Sequence, residues 1–212
     1  VPPDHQTDFS EQMMYMPDAY QMNSHAVLYK EVTRPASSPR SSTESEDAPS
    51  VRFGYAGRVG RITQPLLEAW AEILRRVPHS TLWFLKHPAT AAYRVRHQLQ
   101  LLGIDQRRIE LGEVIADKAD HLQRLSGLDV GLDTLEYNGH TTTADALWMG
   151  VPVVTVEGHA WPARVSASLL RAACIPSTIT RSLDEYVEVA TRLGHDRSKV
   201  RQLRDWLSER AS

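Results

Sequence analysis

From residue 51 onward the chain alternates short apolar runs with longer amphipathic ones, and few architectures tolerate that pattern. An apolar run of four to six residues bounded by turn formers reads as a strand, and apolar positions recurring every three to four residues read as a helix. Strict alternation of the two builds a parallel sheet with helices on both faces. Residues 51–55 give the first strand. In residues 64–77, Leu66, Leu67, Trp70, Ile73, Leu74 and Val77 share one helical face, with Thr63 placed to cap it and Pro78 to stop it. The same reading predicts strands over residues 80–85, 108–111, 129–133 and 152–156. It predicts helices over 89–102, about 117–125, 141–149 and 163–173, several ending at a glycine. Two closing helices are signalled by Ser182 with Glu185, a capping box, and by Asp196 ahead of 201–207, and they are able to reach across to another domain. About five strands in this order make an α/β fold, a doubly wound, Rossmann-like parallel sheet.

The alternation begins late. Residues 33–50 read TRPASSPRSSTESEDAPS, where Ser, Pro and charge replace nearly every apolar side chain. Such a stretch buries too little surface to offset its ordering entropy, so it reads as a disordered Ser/Pro-rich insertion. Residues 1–32 then form an arm whose Met13, Met14, Tyr15, Met16 and Tyr20 are expected to pack on something. Residues 51–212 are the folded lobe. The opening Val1-Pro2-Pro3-Asp4-His5 lacks the segments of a signal peptide, and a start without methionine reads as a piece of a longer protein.

Composition removes several classes of function. With 24 Lys and Arg against 26 Asp and Glu, the chain has no global field to hold nucleic acid or anionic lipid, so neither is an expected partner and any anion site must be local. No apolar run approaches the roughly 20 residues that cross a bilayer. The single cysteine, Cys174, excludes an intrachain disulfide or a thiolate zinc site, fits a reducing compartment, and reads as a small buried thiol. The scattered histidines form no metal-ligand pattern, and no GxSxG elbow is present. Of the tryptophans, Trp70, Trp83, Trp148 and Trp206 read as core and Trp161, beside Pro162, as partly exposed.

Ligands of doubly wound sheets sit beyond the carboxyl ends of the strands, where three loops carry unusual chemistry. After the first strand, Ala56-Gly57-Arg58-Val59-Gly60-Arg61 sets two glycines and two permanent cations before a helix, a combination suited to a diphosphate. After the strand at 129–133, Asn138-Gly139-His140-Thr141-Thr142 turns into a helix whose free N–H groups form an anion cradle. One turn on from Thr141, Asp145 is placed to accept from sugar hydroxyls. After residue 111, Ala116, Lys118, His121 and Arg124 lie on or just before a short helix whose face suits a stacked base. Each stretch alone also fits a plainer reading: solvated arginines in a turn, an ordinary N-cap, an exposed charged helix.

The stretch LDTLEYNGHTTTADALWMGVPVVTVEGHAWPARVSASLL from Leu132 resembles the C-terminal catalytic lobe of the protein O-linked N-acetylglucosamine transferase family, glycosyltransferases of the GT-B architecture. Its most specific part is NGHTT followed by an Asp and LWxGxPxVT. SEQMMYMPDAY at 10–20 and EAWAEILRRVPHSTLWFLKHPA at 68–89 extend the resemblance over nearly the whole chain, leaving out the insertion. The resemblance implies that His140, Thr141 and Thr142 contact the diphosphate of UDP, and that Asp145 and Lys118 contact its ribose. It likewise implies that the Ala116 backbone meets the uracil, that His121 stacks on it and that Arg124 contacts it.

The glycine loop departs from the family, which usually has Gln or Asn where Arg58 stands and a catalytic Lys where Arg61 stands; Arg61 is then the cation on the leaving diphosphate. The resemblance further implies inverting, metal-independent transfer of N-acetylglucosamine from UDP-GlcNAc to Ser or Thr hydroxyls of proteins. It implies no cofactor, a cytoplasmic or nuclear location, and an upstream catalytic lobe with tetratricopeptide repeats absent from this chain. A GDP-fucose-dependent sibling activity and a non-catalytic nucleotide-binding or scaffold module remain the alternatives.

Overall fold

The computed structural model describes residues 3–21, 23–32 and 51–210; the expected insertion at 33–50 lies outside them. The described arm holds a 3-10 turn, Pro3–Asp8, and a single helical turn, α1 (His25–Leu28). The lobe then runs β1 (Arg52–Tyr55), α2 (Gln64–Arg76), β2 (Thr81–Leu85), α3 (Ala89–Leu101), β3 (Ile109–Gly112), α4 (Lys118–Leu125) and β4 (Val130–Leu132). It continues α5 (Thr141–Trp148), β5 (Val153–Val156), α6 (Val165–Ala172), β6 (Ile179–Thr180), α7 (Leu183–His195) and α8 (Arg197–Arg210).

The six strands among the described residues are all parallel and ordered β3-β2-β1-β4-β5-β6. This is the doubly wound order in which the chain builds outward from β1 in one direction, crosses back, and builds outward in the other. The reversal falls between β1 and β4, where the loops leaving their carboxyl ends diverge and open a crevice. Both flanking helix layers contribute to one core, whose largest fully buried side chains include Trp70, Tyr186, Phe53, Phe84 and Met149. The short central strands are apolar on both faces because helices cover both, as in β4, where all three residues are buried.

The closing helices dock on this lobe. Ser182 Oγ caps α7 by accepting from Glu185 N–H at 3.1 Å, and Asp196 accepts from Lys199 N–H at 2.8 Å ahead of α8. Arg204 on α8 donates to the carbonyls of Leu128 and Ser126, tying the C-terminus to the approach to β4.

Several expectations are corrected. Thr63 stands at the N-cap of α2 but makes no side-chain cap bond. A sixth strand, β6, extends the sheet, too short at two residues to show periodicity. Cys174 is exposed: it follows α6 with φ +58°, a left-handed turn that swings the thiol outward while Ile175 goes into the core. Trp206 is 39% exposed, lying beside the buried stripe Val200, Leu203, Leu207, with Arg210 over its ring at 4.2 Å. Trp148 is only partly buried and stacks on His25. Met14, Tyr15 and Met16 are exposed. The arm reaches the core through Ala19, His25, Tyr29 and Val32 instead.

Candidate functional site

The crevice at the β1/β4 reversal is built by the loops that the sequence singled out. After β1, Gly57 lies under the Tyr55 hydroxyl, which donates to the Arg58 carbonyl at 3.1 Å; a Cβ at Gly57 would come within 2.3 Å of that hydroxyl. Burial pushes the Tyr55 phenol up to about 12, so it stays a donor. The turn sends Arg58 to the surface and brings Arg61 inward, where its guanidinium lies 3.9 Å over the Tyr137 ring and donates to the Asn138 carbonyl at 3.3 Å.

After β4, the buried Asp133 organises the facing loop. Its carboxylate accepts from the N–H groups of Thr134 at 2.8 Å and Gly139 at 2.7 Å and from the Thr155 hydroxyl at 2.8 Å. Burial pushes the pKa of Asp133 up, and these hydrogen bonds pull against it. Gly139 has no room for a side chain: a Cβ would approach the hydroxyls of Thr143 at 2.3 Å and Thr142 at 2.7 Å. The loop therefore lies flat on the start of α5, where His140 makes no side-chain cap bond. The first-turn N–H groups thus stay available to an anion.

Two cavities flank Leu85, which lines both. The larger, about 350 Å³, takes Arg58, Arg61, Tyr137, His140, Thr141 and Thr142. The smaller, about 190 Å³, takes Ala116, Lys118, His121 and Arg124. The expected diphosphate residues thus gather at one end and the expected base residues at the other.

Asp145 lies deeper than the other expected site residues. It is 2% exposed and lines neither cavity. One carboxylate oxygen accepts from Lys118 Nζ and the other from His25 Nε2 at 2.8 Å. The four-residue spacing carries no information on depth, and Ala144, Ala146 and Leu147 carry α5 into the core. Lys118, a third exposed, is the member of the pair that reaches the groove. His25 itself carried no signal in sequence, lying 120 residues from its partner.

Arg124 is likewise partly committed: it donates to the Glu113 carbonyl, lies 5.0 Å over the Trp83 ring, and donates to His121 Nδ1 at 2.9 Å. Because a guanidinium only donates, Nδ1 of His121 accepts and the ring hydrogen sits on Nε2. The pKa of His121 is lowered, by burial first and then by Lys118 and Arg124; that of His140 is lowered by burial and by Arg61. Tyr20 from the arm shares a 2.8 Å hydrogen bond with His140 Nδ1, and Tyr137 stacks on the His140 ring at 4.7 Å.

Both rings are therefore expected to be neutral at pH 7 and to titrate in NMR below the ordinary histidine midpoint of about 6.5. Below that midpoint the unfolded chain takes up a proton that the folded ring resists. Their contribution to stability is thus present above about 6.5 and lost as pH falls toward the lowered values. Lys118→Met should raise the His121 midpoint; an unmoved midpoint would mean that the ammonium does not bear on the ring.

The profile of Glycosyl transferase family 41 matches residues 49–212. The chain belongs to this family. It is 34% identical over 98% of its length to a probable UDP-N-acetylglucosamine--peptide N-acetylglucosaminyltransferase SPINDLY from Petunia hybrida, covering 22% of that protein. It is 36% identical to a UDP-N-acetylglucosamine--peptide N-acetylglucosaminyltransferase from Caenorhabditis elegans, over 77% of this chain and 14% of the relative. Among solved structures, a Thermobaculum terrenum O-GlcNAc transferase mutant superposes with a TM-score of 0.72 at 34% identity, covering 78% of this chain and 33% of that one. The C-terminal domain of a group 1 glycosyl transferase from Francisella tularensis shares the fold, with a TM-score of 0.54 at 17% identity. The chain spans about a fifth of the length of the plant relative and a third of the Thermobaculum chain.

Proposed function

We propose that this chain is the donor-binding half of an enzyme that moves N-acetylglucosamine from UDP-GlcNAc to Ser or Thr hydroxyls of proteins. The observation that carries the reading is a pair of cavities that meet at Leu85, one lined by Arg58, Arg61 and the start of α5, the other by Ala116, Lys118, His121 and Arg124. UDP fits that pair: the diphosphate meets Arg58, Arg61 and the start of α5, and the base meets Ala116, His121 and Arg124. As the sugar–phosphate bond lengthens, charge grows on the diphosphate. Permanent cations and a helix start already aimed there then stabilise the transition state more than the ground state. The names of the Petunia and Caenorhabditis relatives support the donor and the peptide acceptor. The acceptor-binding parts, an upstream lobe with repeats, and a cytoplasmic or nuclear location belong to the proposal.

Calorimetric titration of the chain with UDP and GDP tests it. UDP is expected to bind at least about tenfold tighter, a difference of about 1.4 kcal/mol. A preference for GDP would favour the GDP-fucose alternative and refute the assignment.

A further inference from the structure

His25 belongs to the arm, yet it is 3% exposed and its ring is inserted between the arm and α5. It stacks on Trp148 with centroids 5.5 Å apart and planes within 20°, and it lies 5.9 Å from the Tyr29 ring. Its Nε2 is 2.8 Å from one oxygen of Asp145, whose other oxygen takes Lys118 Nζ. Its Nδ1 is buried without a partner among the described residues.

The polarity of this chain is fixed by chemistry. The pKa of Asp145 is lowered despite burial, by hydrogen bonds from His25 and Lys118, so the carboxylate is an acceptor on both sides. His25 therefore carries a hydrogen on Nε2.

We propose that His25 is a positioning residue for nucleotide binding: by holding one oxygen of Asp145, it turns the other toward Lys118 and fixes the ammonium at the base end of the crevice. This rests on the donor reading above. A carboxylate with one partner can rotate about its terminal torsion, whereas one held at both oxygens cannot, and the ammonium it anchors is correspondingly preorganised. The link also makes the arm part of the site, since His25 reaches the second turn of α5 while Tyr20 reaches its N-cap through His140.

Two substitutions separate the hydrogen bond from the packing. His25→Phe keeps a ring against Trp148 but has no donor; His25→Gln keeps an N–H at about the Nε2 position but has no ring. Positioning predicts that Phe loses about tenfold in UDP affinity, the scale of one hydrogen bond to a charged group, and that Gln stays within about threefold of wild type. In a Lys118→Met background the gap between Phe and Gln should close, because the group being positioned is gone. The ¹⁵N shifts of the His25 ring, read without nucleotide, should show hydrogen on Nε2.

The reverse order, Phe tight and Gln weak, would make His25 a packing residue and overturn the inference. So would a gap that persists in the Lys118→Met background, or a ring that carries no hydrogen on Nε2. Wild-type chain that takes up no UDP would refute the donor reading, and the inference with it. UDP binding that is unchanged by Phe refutes the inference alone.

Discussion

Asp133→Ala is expected to lower stability by about 3–5 kcal/mol, because it strands two backbone N–H groups and a hydroxyl that the folded chain has removed from water. For a chain of this length that corresponds to a fall in melting temperature of roughly 10 °C, measurable by calorimetry. The loss should not be confined to global stability. The bond to Gly139 N–H holds the far end of the 134–139 loop, and Gly139 in turn lies on the hydroxyls of Thr142 and Thr143 at the start of α5. UDP affinity should therefore fall even at temperatures where the variant is fully folded. Asp133→Asn keeps one acceptor oxygen and should cost less on both readouts. The loop has other ties: Asn138 donates to the Thr134 carbonyl at 2.7 Å, and Ser166 donates to the Gly139 carbonyl at 2.8 Å. A loss below about 1 kcal/mol in the alanine variant would mean that these ties hold the loop by themselves and that Asp133 is not its anchor.

The parts of the site that were readable in sequence are those governed by local rules. Gly57 with Arg58 and Arg61 before α2, and Gly139 with Thr141 before α5, each declare a loop and a helix start within about ten residues, and the α/β alternation places such loops at one edge of the sheet. Lys118, His121 and Arg124 were singled out for the same reason, as neighbours at helical spacing on α4, and they line one cavity together. What was not readable depends on depth or on contacts between distant segments. Asp145 was expected at the ligand, one turn on from Thr141, and spacing gave no sign of its burial against His25 and Lys118. Tyr20 and His25 sit in an arm without periodicity and meet partners 120 residues away, so no spacing rule reaches them. Asp133 looked like the last residue of a strand, and only the fold shows that two loop N–H groups converge on it.

Arg61→Ala is expected to weaken UDP binding by roughly 10- to 150-fold, about 1.5–3 kcal/mol, the range for a hydrogen bond to a charged group. The structure shows why the effect should lie toward the upper part of that range. The guanidinium is held over the Tyr137 ring at 3.9 Å and by the Asn138 carbonyl at 3.3 Å, so little side-chain freedom remains to be lost when an anion arrives. The same contacts bear on what a lysine would do at this position. An ammonium retains the charge but neither stacks as a plane nor presents a fork, so Arg61→Lys should fall between wild type and alanine, within about tenfold of wild type. Tyr137→Leu removes the platform and leaves the cation. If the stack positions Arg61, Tyr137→Leu should weaken UDP binding in the Arg61 background and have little effect once Arg61 is lysine, a non-additivity that a double-mutant cycle reads directly. Additive losses would mean that Tyr137 acts independently of Arg61, directly or through the His140 ring on which it stacks. An alanine variant that binds UDP as tightly as wild type would remove Arg61 from the diphosphate end altogether.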